Sequence, residues 1–152
     1  MISGIGPSVA YLIETSQGLV LIDCGLEEEA GQLKAQAASL GFNLNRLKMI
    51  LLTHAHGDHS LGANHLRNTT DAKVYAGRND CNVLRQGGPR SSIFSAFPMS
   101  GIDTRPTEID VELEGGEQFE LGDTRIEAVA TPGHTAGSMC YWLTRRNGPS
   151  AL

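Results

Sequence analysis

The chain has 152 residues, 40% hydrophobic and 19% charged, the balance of one globular domain able to bury a core. A net charge of −5 argues against a nucleic-acid backbone as the main partner, since that calls for a basic face. No apolar run approaches the roughly 20 residues of a membrane span. No secretory leader is visible, and Cys24, Cys81 and Cys140 are far apart with no C-x-x-C, so a reducing, cytoplasmic setting is expected.

Residues 9–15 and 19–23 read as two strands joined at Ser16-Gln17-Gly18, a hairpin. Asp23 closes the second strand. It reads either as an acceptor that orients a ligand histidine or as an Asx turn into the next helix. Cys24 beside it reads as a small buried hydrophobe, with an approach to a metal as the other option. A helix is expected over residues 27–40, with three glutamates at the positive end of its dipole. Its apolar stripe is Ala30, Leu33, Ala37 and Leu40, and Gly41 stops it.

Residues 47–53 form an apolar run of strand length that leads into Thr53-His54-Ala55-His56-Gly57-Asp58-His59. This H-x-H-x-D-H pattern holds three of the five histidines in the chain. Imidazole and carboxylate ligands together suit Zn2+, with Fe or Mn as further options. A tight turn lets His54 and His56 converge on one ion and leaves Asp58 and His59 on its other side, where they can serve a second. The plainer reading is a polar turn whose histidines cap the next helix. Three imidazoles on one turn at a strand's C-terminal end favour the metal.

A short helix over 61–68 and a strand over 73–76 complete a βαβ unit with a parallel strand pair. His65, two turns beyond the motif, reads as a packing or capping residue. Residues 87–106 lose periodicity to glycine, proline and serine yet carry Ile93, Phe94, Phe97 and Met99. They read either as a cover over the site or as packing beside it. Arg85, Arg90 and Arg105 flank this stretch, as solvated surface residues or as contacts for an anionic substrate. Alternating strands follow at 111–113, 118–121 and 125–130. Then comes Thr131-Pro132-Gly133-His134-Thr135-Ala136-Gly137-Ser138, ahead of a last strand over 139–143. His134 thus sits on a Pro/Gly loop between strands, a means of delivering a distant ligand to the first cluster.

In this order the Leu-Ile-Asp-Cys-Gly strand end, the Thr-His-Ala-His-Gly-Asp-His turn and the Thr-Pro-Gly-His-Thr-Ala-Gly-Ser loop resemble the metallo-β-lactamase superfamily. The resemblance covers roughly residues 8–143. It implies an α/β fold, an αββα sandwich with metals at one edge, here incomplete: the first αβ half plus part of the second. It also implies that His54, His56 and His134 bind a first metal, and Asp58 and His59 a second. Family members normally supply a bridging aspartate and another histidine after the His134 loop, and nothing there matches. We therefore expect residues 1–152 to be a partial metallo-β-lactamase-like domain. The alternative is a natural short form that covers its open sheet face, for instance as a homo-oligomer.

The expected activity is that of a metallo-hydrolase with one or two Zn2+. Metal-bound hydroxide would attack an ester, thioester, lactone or lactam carbonyl of a small-molecule substrate, and Asp58 would orient the water or accept a proton. Glyoxalase-II-like and β-lactamase-like hydrolysis both stay open. So do a mononuclear iron persulfide dioxygenase and a metal-binding but inactive chain. His56 stands where oxygen-reducing diiron flavoproteins usually have glutamate, which counts against them.

Overall fold

A computed structural model of the protein describes residues 8–87 and 105–146. The expected cover, with Arg90, falls mostly on residues 88–104, outside the described residues. The chain begins with β1 (Tyr11–Thr15), which turns back antiparallel onto β2 (Gly18–Ile22) as the hairpin signal required. After α1 (Gly31–Ser39), β3 (Leu47–Leu51) lies parallel to β2. Helices α2 (Gly57–Ser60) and α3 (Ala63–Thr69) then lead to β4 (Lys73–Gly77), parallel to β3. Helix α4 (Arg78–Gln86) leads on to β5 (Val111–Leu113), parallel to β4. The result is a five-stranded sheet in the order β1-β2-β3-β4-β5. A second sheet is an antiparallel meander of β6 (Gln118–Leu121), β7 (Thr124–Ala130) and β8 (Met139–Arg145).

The pleat explains the layering. Successive side chains of a strand point to opposite faces, and here both faces of the first sheet are covered. Leu19, Leu21, Ile50, Val74 and Ala76 pack with Leu33, Ala37, Ala63, Leu66 and Leu84 of the helices. Val20, Leu51 and Tyr75 point the other way and meet Ile126, Ala128 and Met139 of the second sheet. The described residues therefore make an α/β/β stack, the first αβ half of the expected sandwich plus one sheet of the second. Two bonds seat the second sheet on the first at the end of β3. Met139 N–H donates to the Thr53 carbonyl at 2.8 Å, and the Tyr141 hydroxyl donates to the Leu52 carbonyl at 2.7 Å.

Two expectations need correction. The helix over 27–40 starts later, because Ala30 adopts a left-handed backbone (φ 49°) and its N–H closes a turn onto the Glu27 carbonyl. The three glutamates thus precede α1, and the dipole argument fails for Glu28 and Glu29. Glu27 keeps the expected role from outside the helix, its carboxylate accepting the first-turn Gln32 N–H at 2.7 Å. Leu40 is 58% exposed and leaves the stripe, since the chain turns at Gly41 (φ 82°) before that face reaches the sheet. Helix α4 is not anticipated from the sequence, its polar run Arg-Asn-Asp-Cys-Asn-Val-Leu-Arg-Gln carrying only three apolar residues, Cys81, Val83 and Leu84, against the core. Among the described residues no helix is long and apolar enough to cross a membrane.

Where β4 meets α4 the backbone passes very close to the loop after β7. A Cβ built on Gly77 would lie 2.0 Å from the Gly137 carbonyl oxygen, with backbone on both sides. Gly77→Ala should therefore lower stability by about 1–3 kcal/mol. A shifted denaturant midpoint at unchanged slope would report this, and an unshifted midpoint would contradict the close approach.

Candidate metal centre

The H-x-H-x-D-H turn leaves β3 at its C-terminal end and divides between a short extended stretch and α2. His54 and His56 precede the helix, while Asp58 and His59 lie within its single turn. His134 arrives from the 131–138 loop between β7 and β8. That loop is pinched by the Thr131 N–H to Ser138 carbonyl bond at 2.9 Å and by the Thr135 N–H to Ser138 Oγ bond at 2.9 Å. One nitrogen each from His54, His56 and His134 lies within 4.8 Å of the others. His56 Nδ1 and His134 Nε2 are 3.0 Å apart across 78 residues of sequence.

A chain of hydrogen bonds sets the protonation of this cluster. Asp23 Oδ1 accepts the Thr53 N–H at 2.8 Å, and Oδ2 accepts the Thr53 hydroxyl at 2.8 Å. With its proton given to the carboxylate, that hydroxyl can only accept from His54 Nδ1, 2.9 Å away. His54 is therefore protonated at Nδ1, and its Nε2 carries a lone pair. Nε2 is buried with no hydrogen-bond partner among the described residues. An unpaired buried acceptor costs free energy unless something electrophilic meets it, and a metal ion fits that demand. Burial, then the neighbouring rings of His59, His56 and His134, push the His54 pKa down to about 3. Burial and His134 also lower that of His56. Both rings thus offer neutral imidazole, the ligand form.

Asp58 and His59 stand beside this trio. His59 Nδ1 donates to Asp23 Oδ2 at 2.8 Å, and its Nε2 lies 3.4 Å from Asp58 Oδ2. Burial pulls the His59 pKa down, but the hydrogen bond and charge of Asp23, with Asp58, carry it above its ordinary value. Of the two readings of Asp23, the geometry matches the acceptor that orients histidines. The residue holds a left-handed backbone (φ 59°), which an aspartate tolerates better than most residues. Cys24 is buried in the helix-side core, and burial followed by the Asp23 charge raises its thiol pKa, the character of a packing residue. His65 contacts Lys34 at 3.1 Å, away from the cluster. Arg85 and Arg105 are engaged with Glu112 and Glu28, so neither is held ready for an anionic substrate.

Sequence reasoning missed Asp80. This residue in the first turn of α4 is 4% exposed and bonds the turn beside His54 as well as the loop that carries His134. No motif announces it.

Comparison with known proteins bears on this geometry. The pattern describing the metallo-beta-lactamase superfamily matches residues 3–147. The uncharacterized protein YobT of Bacillus subtilis (strain 168) is 36% identical over 149 residues, covering 93% of this chain and 59% of that protein. A hydroxyacylglutathione hydrolase of Methylococcus capsulatus is 33% identical over 98 residues, 64% of this chain and 30% of that protein. Among solved structures, the class B3 di-zinc metallo-beta-lactamase LRA-12 from an Alaskan soil metagenome superposes with a TM-score of 0.80 at 34% identity. That match covers 93% of this chain and 53% of the other. The chain thus spans under two thirds of each relative's own length.

In the metal-free protein at neutral pH, nitrogen NMR should find His54 neutral and protonated at Nδ1. Thr53→Val should release it toward the Nε2–H form. A wild-type ring already protonated at Nε2 would contradict the Asp23–Thr53–His54 chain.

Proposed function

The chain belongs to the metallo-β-lactamase superfamily, and we propose that it acts in zinc-dependent hydrolysis of an ester, thioester, lactone or lactam carbonyl in a small molecule. The observation that carries this reading is the orphaned Nε2 of His54, facing two further imidazole donors at a strand-end site. In the proposal His54, His56 and His134 hold the first ion, and three histidine ligands leave a position open, the pattern of catalytic rather than structural zinc. Asp58 and His59 face a second ion. When bound, such a metal supplies Lewis acidity, lowering a water's pKa toward about 7 and polarising the carbonyl.

The remaining roles fall to the chain itself. Asp23 holds Thr53 and His59 in orientation, so His54 presents its lone pair without rearranging. In this reading Asp58, partly exposed and 3.4 Å from His59 Nε2, orients a water or accepts its proton. The di-zinc class B3 structure supports zinc, and the hydroxyacylglutathione hydrolase supports a thioester within the substrate range. Neither a nucleic acid nor a membrane is proposed as partner.

Elemental analysis of the purified chain and of His134→Ala tests the proposal. About one zinc or more per chain in the wild type, with that zinc lost in the variant, is the expected result. Hydrolysis of S-lactoylglutathione without turnover of a carbapenem would assign the thioester, and the reverse would assign the lactam. Iron in the site, with oxygen uptake on glutathione persulfide, would replace hydrolysis by dioxygenase chemistry.

A further inference from the structure

Asp80 bonds to both ligand-bearing loops while lying on neither. Its Oδ2 accepts the Ala55 N–H at 2.9 Å and the Thr135 hydroxyl at 2.7 Å, and its Oδ1 accepts the Gly137 N–H at 2.9 Å. Ala55 separates His54 from His56, and Thr135 follows His134. None of these bonds goes to the N–H groups of α4 itself, so this carboxylate is not a helix cap. The backbone is shaped to admit it: a Cβ on Gly137 would lie 2.5 Å from the Asp80 N, so glycine lets the loop pass over the start of the helix.

The need for such a tie is visible in the burial. His54 and His56 are buried on an ordered strand end, whereas residues 131–134 and 136 of the loop are exposed. Within the loop it is Gly137 that is buried, at the point where it meets Asp80. A carboxylate 4% exposed needs its lone pairs satisfied, and here the donors come from two loops more than 50 residues apart. Satisfying one buried charge therefore sets the separation of His134 from the other two imidazoles.

We infer that Asp80 is a positioning residue of the metal centre, holding the His134 loop against the His54–His56 turn and so setting metal affinity. The inference rests on the reading that these three histidines hold a metal. Asp80→Asn keeps the shape but replaces one acceptor by a donor, which must face an N–H or hydroxyl already aimed at it. Thr135→Val deletes one donor to Asp80, with the hydroxyl's contact to Ser138 Oγ, and leaves the carboxylate two backbone bonds. It keeps the test open if the first variant folds poorly.

The experiment is a zinc competition against a chromophoric chelator, with cobalt absorption spectra and hydrogen exchange of the metal-free protein alongside. Asp80→Asn should weaken zinc about 10-fold or more, and Thr135→Val by a smaller factor, with distorted cobalt bands in both. In a His134→Ala background the Asp80→Asn effect should shrink below about 3-fold, because the residue acts through His134. A purely structural Asp80 would lower stability and leave affinity and cobalt bands unmoved. That result overturns the inference, as would an Asp80→Asn effect of equal size with and without His134. If wild-type protein takes up no zinc, the metal reading itself fails. Loop positioning is then judged by exchange: faster Ala55 and Gly137 amides in Asp80→Asn support it, and unchanged rates overturn it.

Discussion

Keeping a lone pair dry and unpaired is costly, and much of the structure around His54 makes that state the only one available. Asp23 accepts the Thr53 hydroxyl, Thr53 accepts the His54 Nδ1–H, and Nε2 is left as a bare, buried acceptor. The same carboxylate fixes His59 through its Nδ1. One aspartate at the end of β2 therefore orients two imidazoles carried by the next strand's turn, His54 through Thr53 and His59 directly. Its own backbone is left-handed, a strain tolerated where surrounding bonds over-determine it.

That arrangement depends on the parallel order of β2, β3 and β4. Parallel strands bring their C-terminal ends to one edge, so Asp23, the motif after β3 and Asp80 after β4 arrive together. The antiparallel second sheet contributes from the opposite layer. Its β7–β8 connection reaches over the same edge and delivers His134, while Met139 and Tyr141 bond to the end of β3. Layer packing and site assembly are thus one event: the Met139 N–H and the Tyr141 hydroxyl, which seat β8 on the first sheet, lie within three residues of the end of the His134 loop.

Membership of the metallo-β-lactamase superfamily and a three-imidazole group able to hold a metal are mutually consistent, and each rests on its own observation. Burial keeps His54 and His56 as neutral nitrogen donors, which reduces the reorganisation required when an ion enters. The relatives extend well beyond the length of this chain, which covers 59% of YobT and 53% of LRA-12.

The elements and donors that could be read directly are those governed by near neighbours. The β1–β2 hairpin, the buried β3 and the H-x-H-x-D-H turn depend on alternation and on residues a few positions apart, and they fold as their sequence reads. Helix α4 was invisible because only three of its nine residues are apolar, and the start of α1 moved because Ala30 joins a turn that propensity does not foresee. Asp23 was legible as a carboxylate at a strand end, yet its choice between an Asx turn and a histidine partner waited on β3 lying alongside β2. Asp80 carried no signal at all. Its role follows from donors 25, 55 and 57 residues away, and only close packing of the two sheets brings them within reach. By itself the sequence determined which side chains can meet a metal, since donor chemistry is a property of the residue. The tertiary structure decided their protonation, spacing and support, because burial and hydrogen-bond partners exist only once the layers have packed.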